Sequence, residues 1–336
     1  MNDTLLSVED LHVRFRTYAG VVYAVNGMTF DVRPGETFGL VGESGCGKSV
    51  TGLAVLRMVP HPGEIVKGRL LFHGEDLLQK SATEMQDVRG GRIAMIFQDP
   101  SASLNPVFTV GNQVVRVIRQ HVPVSHADAR QRALDTFEAV GLPDPPRILS
   151  TYPHELSGGM QQRVMIALAL SSGAELLIAD EPTTALDVTI QAQILALLTE
   201  LRDRQGVSML LITHNLGVVA ETCERVGVAY AGHIVEMGQT DDVLRRMKHP
   251  YTRGLLAALP PPPPPKRGGG GGGRGRPLQS IEGTVPDGLR LPAGCPFHPR
   301  CPEVMDVCRT AKPALVSVGP PGHVAACHLY TREGVA

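Results

Sequence analysis

The sequence predicts an α/β domain around a mostly parallel sheet, followed by a small cysteine-rich extension. Three observations carry that expectation. Through the first three quarters of the chain, short β-like runs alternate with amphipathic helical stretches, the pattern of strands joined through helices. Two of the runs, Leu176–Asp180 and Ser208–Thr213, are near-continuously apolar, as strands covered on both faces must be. A glycine-rich segment, Gly42–Ser49, lies between an apolar run and an amphipathic one, the strand–turn–helix setting of a phosphate-binding loop.

In chain order, Thr37–Val41 reads as the first of the apolar strands, and Lys48–Val59 as a helix with Val50, Leu53, Ala54 and Met58 on one stripe. Arg92–Gln98 is the next strand. Between Gln98 and Glu155 the pattern turns helical and proline-punctuated, with helices expected at Val110–Gln120 and His126–Val140, so that residues 99–160 form a subdomain carried on the sheet. Leu176–Asp180, the helix Val188–Arg204 and the strand Ser208–Thr213 follow. Near residue 259 the composition changes abruptly: Pro260–Pro265 is a proline run and Gly268–Gly273 a glycine run. A stiff polyproline II stretch joined to a flexible coil is a linker. The division is therefore 1–258 for the main domain, 259–276 for the linker and 277–336 for the extension. A segment of about 60 residues needs a metal or a neighbour to be stable, because its own core is too small. No internal repeat is present.

Bulk properties narrow the function. Of 336 residues, 43% are hydrophobic and 19% charged, ordinary for a globular protein with a core. The formal net charge of −1 offers no basic field for nucleic acid. Tryptophan is absent and aromatics are 4%, which disfavours stacking platforms for bases. No apolar run reaches the ~18 residues needed to span a bilayer; Val164–Ala179 comes closest and is broken by Ser171, Ser172, Gly173 and Glu175. MNDTLLSVED is not a signal peptide, so a cytoplasmic protein is expected.

Gly42-Glu43-Ser44-Gly45-Cys46-Gly47-Lys48-Ser49 fits GxxxxGK[ST]. The glycines let the backbone wrap closely, pointing successive N–H groups at an anion, and the following helix adds its positive end. Lys48 would neutralise β/γ-phosphate charge and Ser49 would ligate Mg²⁺. Leu176–Asp180 ends in a carboxylate placed to hold Mg²⁺ through water. Glu181 follows it at once, where a second carboxylate can orient and deprotonate an attacking water.

Leu156-Ser157-Gly158-Gly159-Met160-Gln161-Gln162-Arg163 resembles the LSGGQ signature of ABC ATPases. Other motifs of that family follow in order. Phe97-Gln98-Asp99-Pro100 is similar to the Q-loop, Ala185-Leu186-Asp187 to the D-loop, and Ile212-Thr213-His214 to the switch strand, with His214 33 residues after Glu181. The resemblance implies a cassette with a mostly parallel core sheet, an antiparallel β subdomain and a helical subdomain. It also implies a partnership in which two cassettes stack head to tail, each ATP lying between the phosphate loop of one and the signature of the other. On that reading Glu181, His214 and Gln98 are catalytic, and Ser49, Gln98 and Asp180 hold Mg²⁺. Gly42 through Val50 and Phe15 bind nucleotide, with Tyr18 the alternative adenine-stacking aromatic. Ser157, Gly158, Gly159 and Gln161 face the partner's ATP, and Asp187 crosses the interface.

Gln98–Pro106, His249–Leu256 and Gly294–Pro302 narrow the resemblance to the dipeptide/oligopeptide-importer ATPases; it spans nearly the whole chain and fails at 260–276. The partners it implies are a second, non-identical cassette, two membrane permeases and an extracytoplasmic solute-binding protein, with this chain peripheral at the cytoplasmic face. Peptide is the expected cargo, with nickel or another small solute as alternatives. A chromosome- or ribosome-type ABC ATPase is the runner-up. It is disfavoured because only about a hundred residues separate phosphate loop and signature and a single cassette is present.

Cys295, Cys301, Cys308 and Cys327 have the spacing C-x5-C-x6-C-x18-C. In a reducing compartment they point to metal rather than disulfides. Four thiolates suit zinc or an iron–sulfur cluster. Structural zinc favours tighter spacing, and similar tails in dipeptide-type subunits carry a 4Fe–4S cluster, which the resemblance implies here. Cys46 and Cys223 read as small residues filling space.

Overall fold

The computed structural model describes residues 4–184, 187–258 and 281–331. Two sheets make its frame. Strands β1 (Leu6–Thr17), β2 (Gly20–Val32), β4 (Gly63–Phe72) and β5 (Glu75–Asp76) form a four-stranded antiparallel sheet in the order β2-β1-β4-β5. The main sheet has eight strands in the order β11-β12-β10-β9-β3-β8-β7-β6. These are β3 (Thr37–Val41), β6 (Ile93–Ile96), β7 (Leu176–Asp180), β8 (Ser208–Thr213), β9 (Arg225–Tyr230), β10 (His233–Gln239), β11 (Leu315–Ser317) and β12 (Val324–Ala326).

From β9 to β6 the main sheet is parallel, and every residue of β3, β6, β7, β8 and β9 is buried. The sheet is covered on both faces, which is why these strands read as unbroken apolar runs. Thr37–Val41, Leu176–Asp180 and Ser208–Thr213 fall where the sequence puts them, and Arg92–Gln98 shortens to Ile93–Ile96. The two sheets are tied by Arg225 of β9, 7% exposed, whose guanidinium grips both Asp31 carboxylate oxygens at 2.9 Å and lies 5.4 Å from the Phe38 ring centroid.

The helical subdomain holds Val110–His121 and His126–Ala139, each begun by a hydroxyl cap: Thr109 accepts from the Asn112 N–H and Ser125 from the Asp128 N–H. The helix after the phosphate loop ends at Val55, not Val59, and Met58 is 43% exposed. Arg57 adopts φ 51°, with its N–H on the Ala54 carbonyl and the Met58 N–H on the Leu53 carbonyl. That is a Schellman stop built on arginine where glycine is usual, so no sequence signal marks it.

The extension does not stand apart. Its strands β11 and β12 continue the main sheet beyond β10, with Glu236 opposite Ala325 and Met237 opposite Val324. A small segment without a core of its own thus gains one by covering an open sheet edge. The linker 259–276 lies outside the described residues.

Candidate functional site

Because β3, β8, β7 and β6 are parallel neighbours, their carboxyl ends open on one edge, where ligands of such sheets bind. Along that edge stand the phosphate loop after β3, His214 after β8, Asp180 and Glu181 at the end of β7, and Gln98 after β6.

The phosphate loop leaves β3 at Gly42 and enters the helix Lys48–Val55 through Gly47. Gly47 has φ 84°, and a Cβ there would lie 2.3 Å from the Ala24 carbonyl oxygen, so only glycine closes this turn. Lys48 is 5% exposed and its Nζ donates to the carbonyls of Gly42 at 2.8 Å and Glu43 at 2.9 Å. Burial pulls its pKa down, against the pull of Glu181 and Asp180 in the other direction. Cys46 is fully buried, and burial raises its thiol pKa, which fits a space-filling residue and not a thiolate.

Ser49 Oγ donates to Asp180 Oδ1 at 2.9 Å, bringing together two oxygen donors of the kind Mg²⁺ takes. Glu181 has φ 46°, a left-handed backbone that a glutamate adopts only when its surroundings impose it. Its N–H is held by the Ile212 carbonyl at 2.8 Å. Its carboxylate receives Thr184 Oγ1 at 2.8 Å, lies 3.0 Å from His214 Nδ1 and is 3.4 Å from Gln98 Nε2. The adjacent carboxylates are tuned in opposite directions. Burial raises the Asp180 pKa. Burial also pushes on Glu181, but hydrogen bonds from His214 and Thr184 and the nearby Lys48 charge outweigh it, so Glu181 stays a carboxylate.

Ser157 caps the helix Gly158–Leu170, its side chain accepting the Met160 N–H at 3.4 Å. Ser157 and Gly158 are exposed. Gln161 turns back, its amide donating to the Pro153 carbonyl at 2.8 Å. Asp187 caps the helix Val188–Gln205 through the Ile190 N–H at 2.9 Å, while residues 185 and 186 of the D-loop lie outside the described residues.

Comparison with known proteins decides what this arrangement is. A family model described as "ABC transporter" matches residues 25–184, and one described as "Oligopeptide/dipeptide transporter, C-terminal region" matches 235–308. A probable peptide ABC transporter ATP-binding protein of Sinorhizobium fredii is 51% identical, with 97% of this chain and 95% of that one covered. The dipeptide transport ATP-binding protein of Bacillus subtilis is 46% identical, over 98% of this chain and 96% of that one. The chain belongs to the ATP-binding subunits of peptide ABC importers.

The solved structure of a dimeric bacterial ABC transporter cassette matches this ABC ATPase with TM-score 0.62 at 25% identity, covering 70% of this chain and 98% of that one. ATP hydrolysis is the activity of this family. Among the described residues no helix is long and apolar enough to cross a membrane.

Of the two aromatics expected from the sequence to stack on adenine, Phe15 is half-buried in β1 opposite Val22 and Gly63, and Tyr18 is fully exposed in the turn after β1. The cysteine tail is folded against the cassette. Cys295, Cys308 and Cys327 are buried, Cys301 is half-buried, and all four are free thiols. Gly294, at φ 68°, lets the chain pass so close to Cys308 that a Cβ would meet its carbonyl oxygen at 2.4 Å, and the Cys295 N–H bonds that oxygen at 2.9 Å. Burial, with the charge of the neighbouring thiols, pushes Cys295 and Cys327 each up to about 11. Among the described residues no three His, Cys, Asp or Glu side chains form a group that could hold a metal ion.

Three contributors carry no sequence signal of their role at this site. Thr184 steadies Glu181, Tyr251 accepts the Glu43 N–H at 2.9 Å, and Arg300 pairs with Glu43 from 257 positions away.

Proposed function

We propose that this cassette hydrolyses ATP with Glu181 as the base that orients and deprotonates the lytic water, His214 as its positioning partner at the γ-phosphate, and Gln98 as the sensor of occupancy. The single observation that carries the assignment is the strained Glu181 backbone, with its carboxylate gripped by Thr184 and beside His214. Lys48 and the Gly42–Val50 segment take the phosphates, and Phe15 the adenine. Ser49 and Asp180, with Gln98, hold Mg²⁺, which supplies charge neutralisation between the β- and γ-phosphates when bound. The exposed cap of Ser157, with Gly158 and Gly159, serves the ATP of a second cassette, and Asp187 stands at that interface. The assembly we infer has a second, non-identical cassette, two permeases and an extracytoplasmic receptor, with this subunit peripheral at the cytoplasmic face.

Glu181→Gln keeps the shape and removes the base. It is expected to bind ATP normally and lose about 10²–10⁴ in turnover, the usual contribution of a general base. Wild-type turnover would overturn the assignment.

The four tail thiols support a 4Fe–4S cluster more than zinc. What supports the reading is their wide C-x5-C-x6-C-x18-C spacing and the four free thiols folded against the cassette. Widely spaced soft thiolates suit the larger cube. Protein purified without oxygen is expected to be brown and absorb broadly near 400 nm, with iron and sulfide in equal amounts. Colourless protein with stoichiometric zinc would refute the cluster.

A further inference from the structure

The loop between the first two tail cysteines bears directly on the phosphate loop. Arg300, the residue before Cys301, has a side chain only 5% exposed. Its Nη1 donates to Glu43 Oε2 at 2.8 Å and to the Tyr230 hydroxyl at 3.4 Å. Its Nη2 donates to Glu43 Oε1 at 3.1 Å and to the Ile281 carbonyl at 3.4 Å, and Nε to the Glu282 carbonyl at 2.9 Å. All five guanidinium N–H groups are thereby used, two of them as a fork on one carboxylate.

Glu43 is itself part of the cradle. Its N–H is held by Tyr251 and its carbonyl receives Lys48 Nζ at 2.9 Å. Phe297, in the same loop as Arg300, packs edge-on against Tyr230 with centroids 5.2 Å apart and tilted against Tyr251 at 5.4 Å. The loop Cys295–Cys301 therefore supports the side chain of Glu43 directly and its backbone through Tyr251. An acidic residue in an anion site repels the phosphates unless a cation answers it. Arg300 is that cation.

We propose that Arg300 is a positioning residue for the phosphate loop, neutralising Glu43 so that the cradle accepts ATP, and that the fold of the cysteine tail thereby governs nucleotide affinity. The proposal rests on the ATP-binding reading of this site and is independent of which metal the cysteines hold.

The test is titration of full-length protein with a fluorescent N-methylanthraniloyl ATP and Mg²⁺, with metal content measured on every preparation. Arg300→Gln is expected to weaken binding about tenfold, the scale of one charged hydrogen-bonded pair. Adding Glu43→Gln should recover most of that loss, because the repelling charge goes with it. Wild-type affinity in Arg300→Gln, or a double variant as weak as the single one, would overturn the proposal. Glu303→Gln breaks the 2.7 Å ion pair between the same tail and Arg253 of the cassette without touching the phosphate loop, and its affinity should be unchanged. A tenfold loss there would assign the effect to general loosening and overturn the role of Arg300. If Arg300→Gln does not fold, Arg300→Lys keeps the charge without the fork; most of the affinity should remain with kcat nearly constant, and a loss as large as tenfold would refute neutralisation as the role of Arg300.

Discussion

Removing His323 should detach the tail from the cassette. Glu236, in β10, is wholly buried, and its carboxylate accepts three hydrogen bonds, each 2.8 Å: the N–H groups of Lys248 and His249, and His323 Nε2. Facing a carboxylate, Nε2 carries the proton; Nδ1 has no hydrogen-bond partner among the described residues. His323 is 1% exposed and immediately precedes β12, so this bond latches the tail strand to the sheet. His323→Ala removes a hydrogen bond to a charged acceptor, about 1.5–3 kcal/mol, and leaves a cavity worth about 1–2 kcal/mol more. The sum, about 2.5–5 kcal/mol, corresponds to a fall in Tm of roughly 4–7 °C for a chain of this size. Thermal unfolding followed by circular dichroism measures it, and protease should then cut the tail first. A double-mutant cycle with Glu236→Gln should give a coupling of about 1–2 kcal/mol, since the two groups share one bond. A Tm shift under about 1 °C, or strict additivity, would refute the latch.

Two further outcomes follow from the same region. His249 is buried, its Nδ1 accepts the Tyr251 N–H at 3.1 Å, and burial lowers its pKa to about 3 from 6.5. Between those values the unfolded chain takes up a proton that the folded one refuses. Stability therefore falls as pH drops below about 6.5, by about 1.4 kcal/mol per unit for this group, and is flat in this respect above it. Unfolding at pH 5.5 and 4.5 tests this against His249→Gln, in which the slope should be smaller by about that amount; an identical slope would contradict it. Gly294→Val forces a side chain onto the Cys308 carbonyl at a backbone angle valine avoids, so labelling of the buried tail thiols by a disulfide reagent should speed up about tenfold or more. An unchanged rate would show that the close approach is dispensable.

The placement of the site was legible because its parts are local. A glycine-rich turn after a buried strand, a carboxylate at the end of another and a histidine at the end of a third are each written in a few consecutive residues. Parallel order then brings them to one edge. Less legible were the ends of elements: Arg57 stops its helix by a left-handed turn that glycine normally supplies, so the apolar stripe through Met58 overran. Thr184 carries no local mark, because a hydroxyl three residues from a base looks like any turn residue.

Sequence alone determined the phosphate cradle, the paired carboxylates and the α/β core, since periodicity and motif spacing are short-range information. Tertiary structure alone decided where the tail belongs. Glu236 opposite Ala325 and Glu43 against Arg300 are pairings across long sequence separations, and neither residue carries a local mark of its partner. What joins them is an open sheet edge that needed covering and a carboxylate in an anion site that needed a counter-charge.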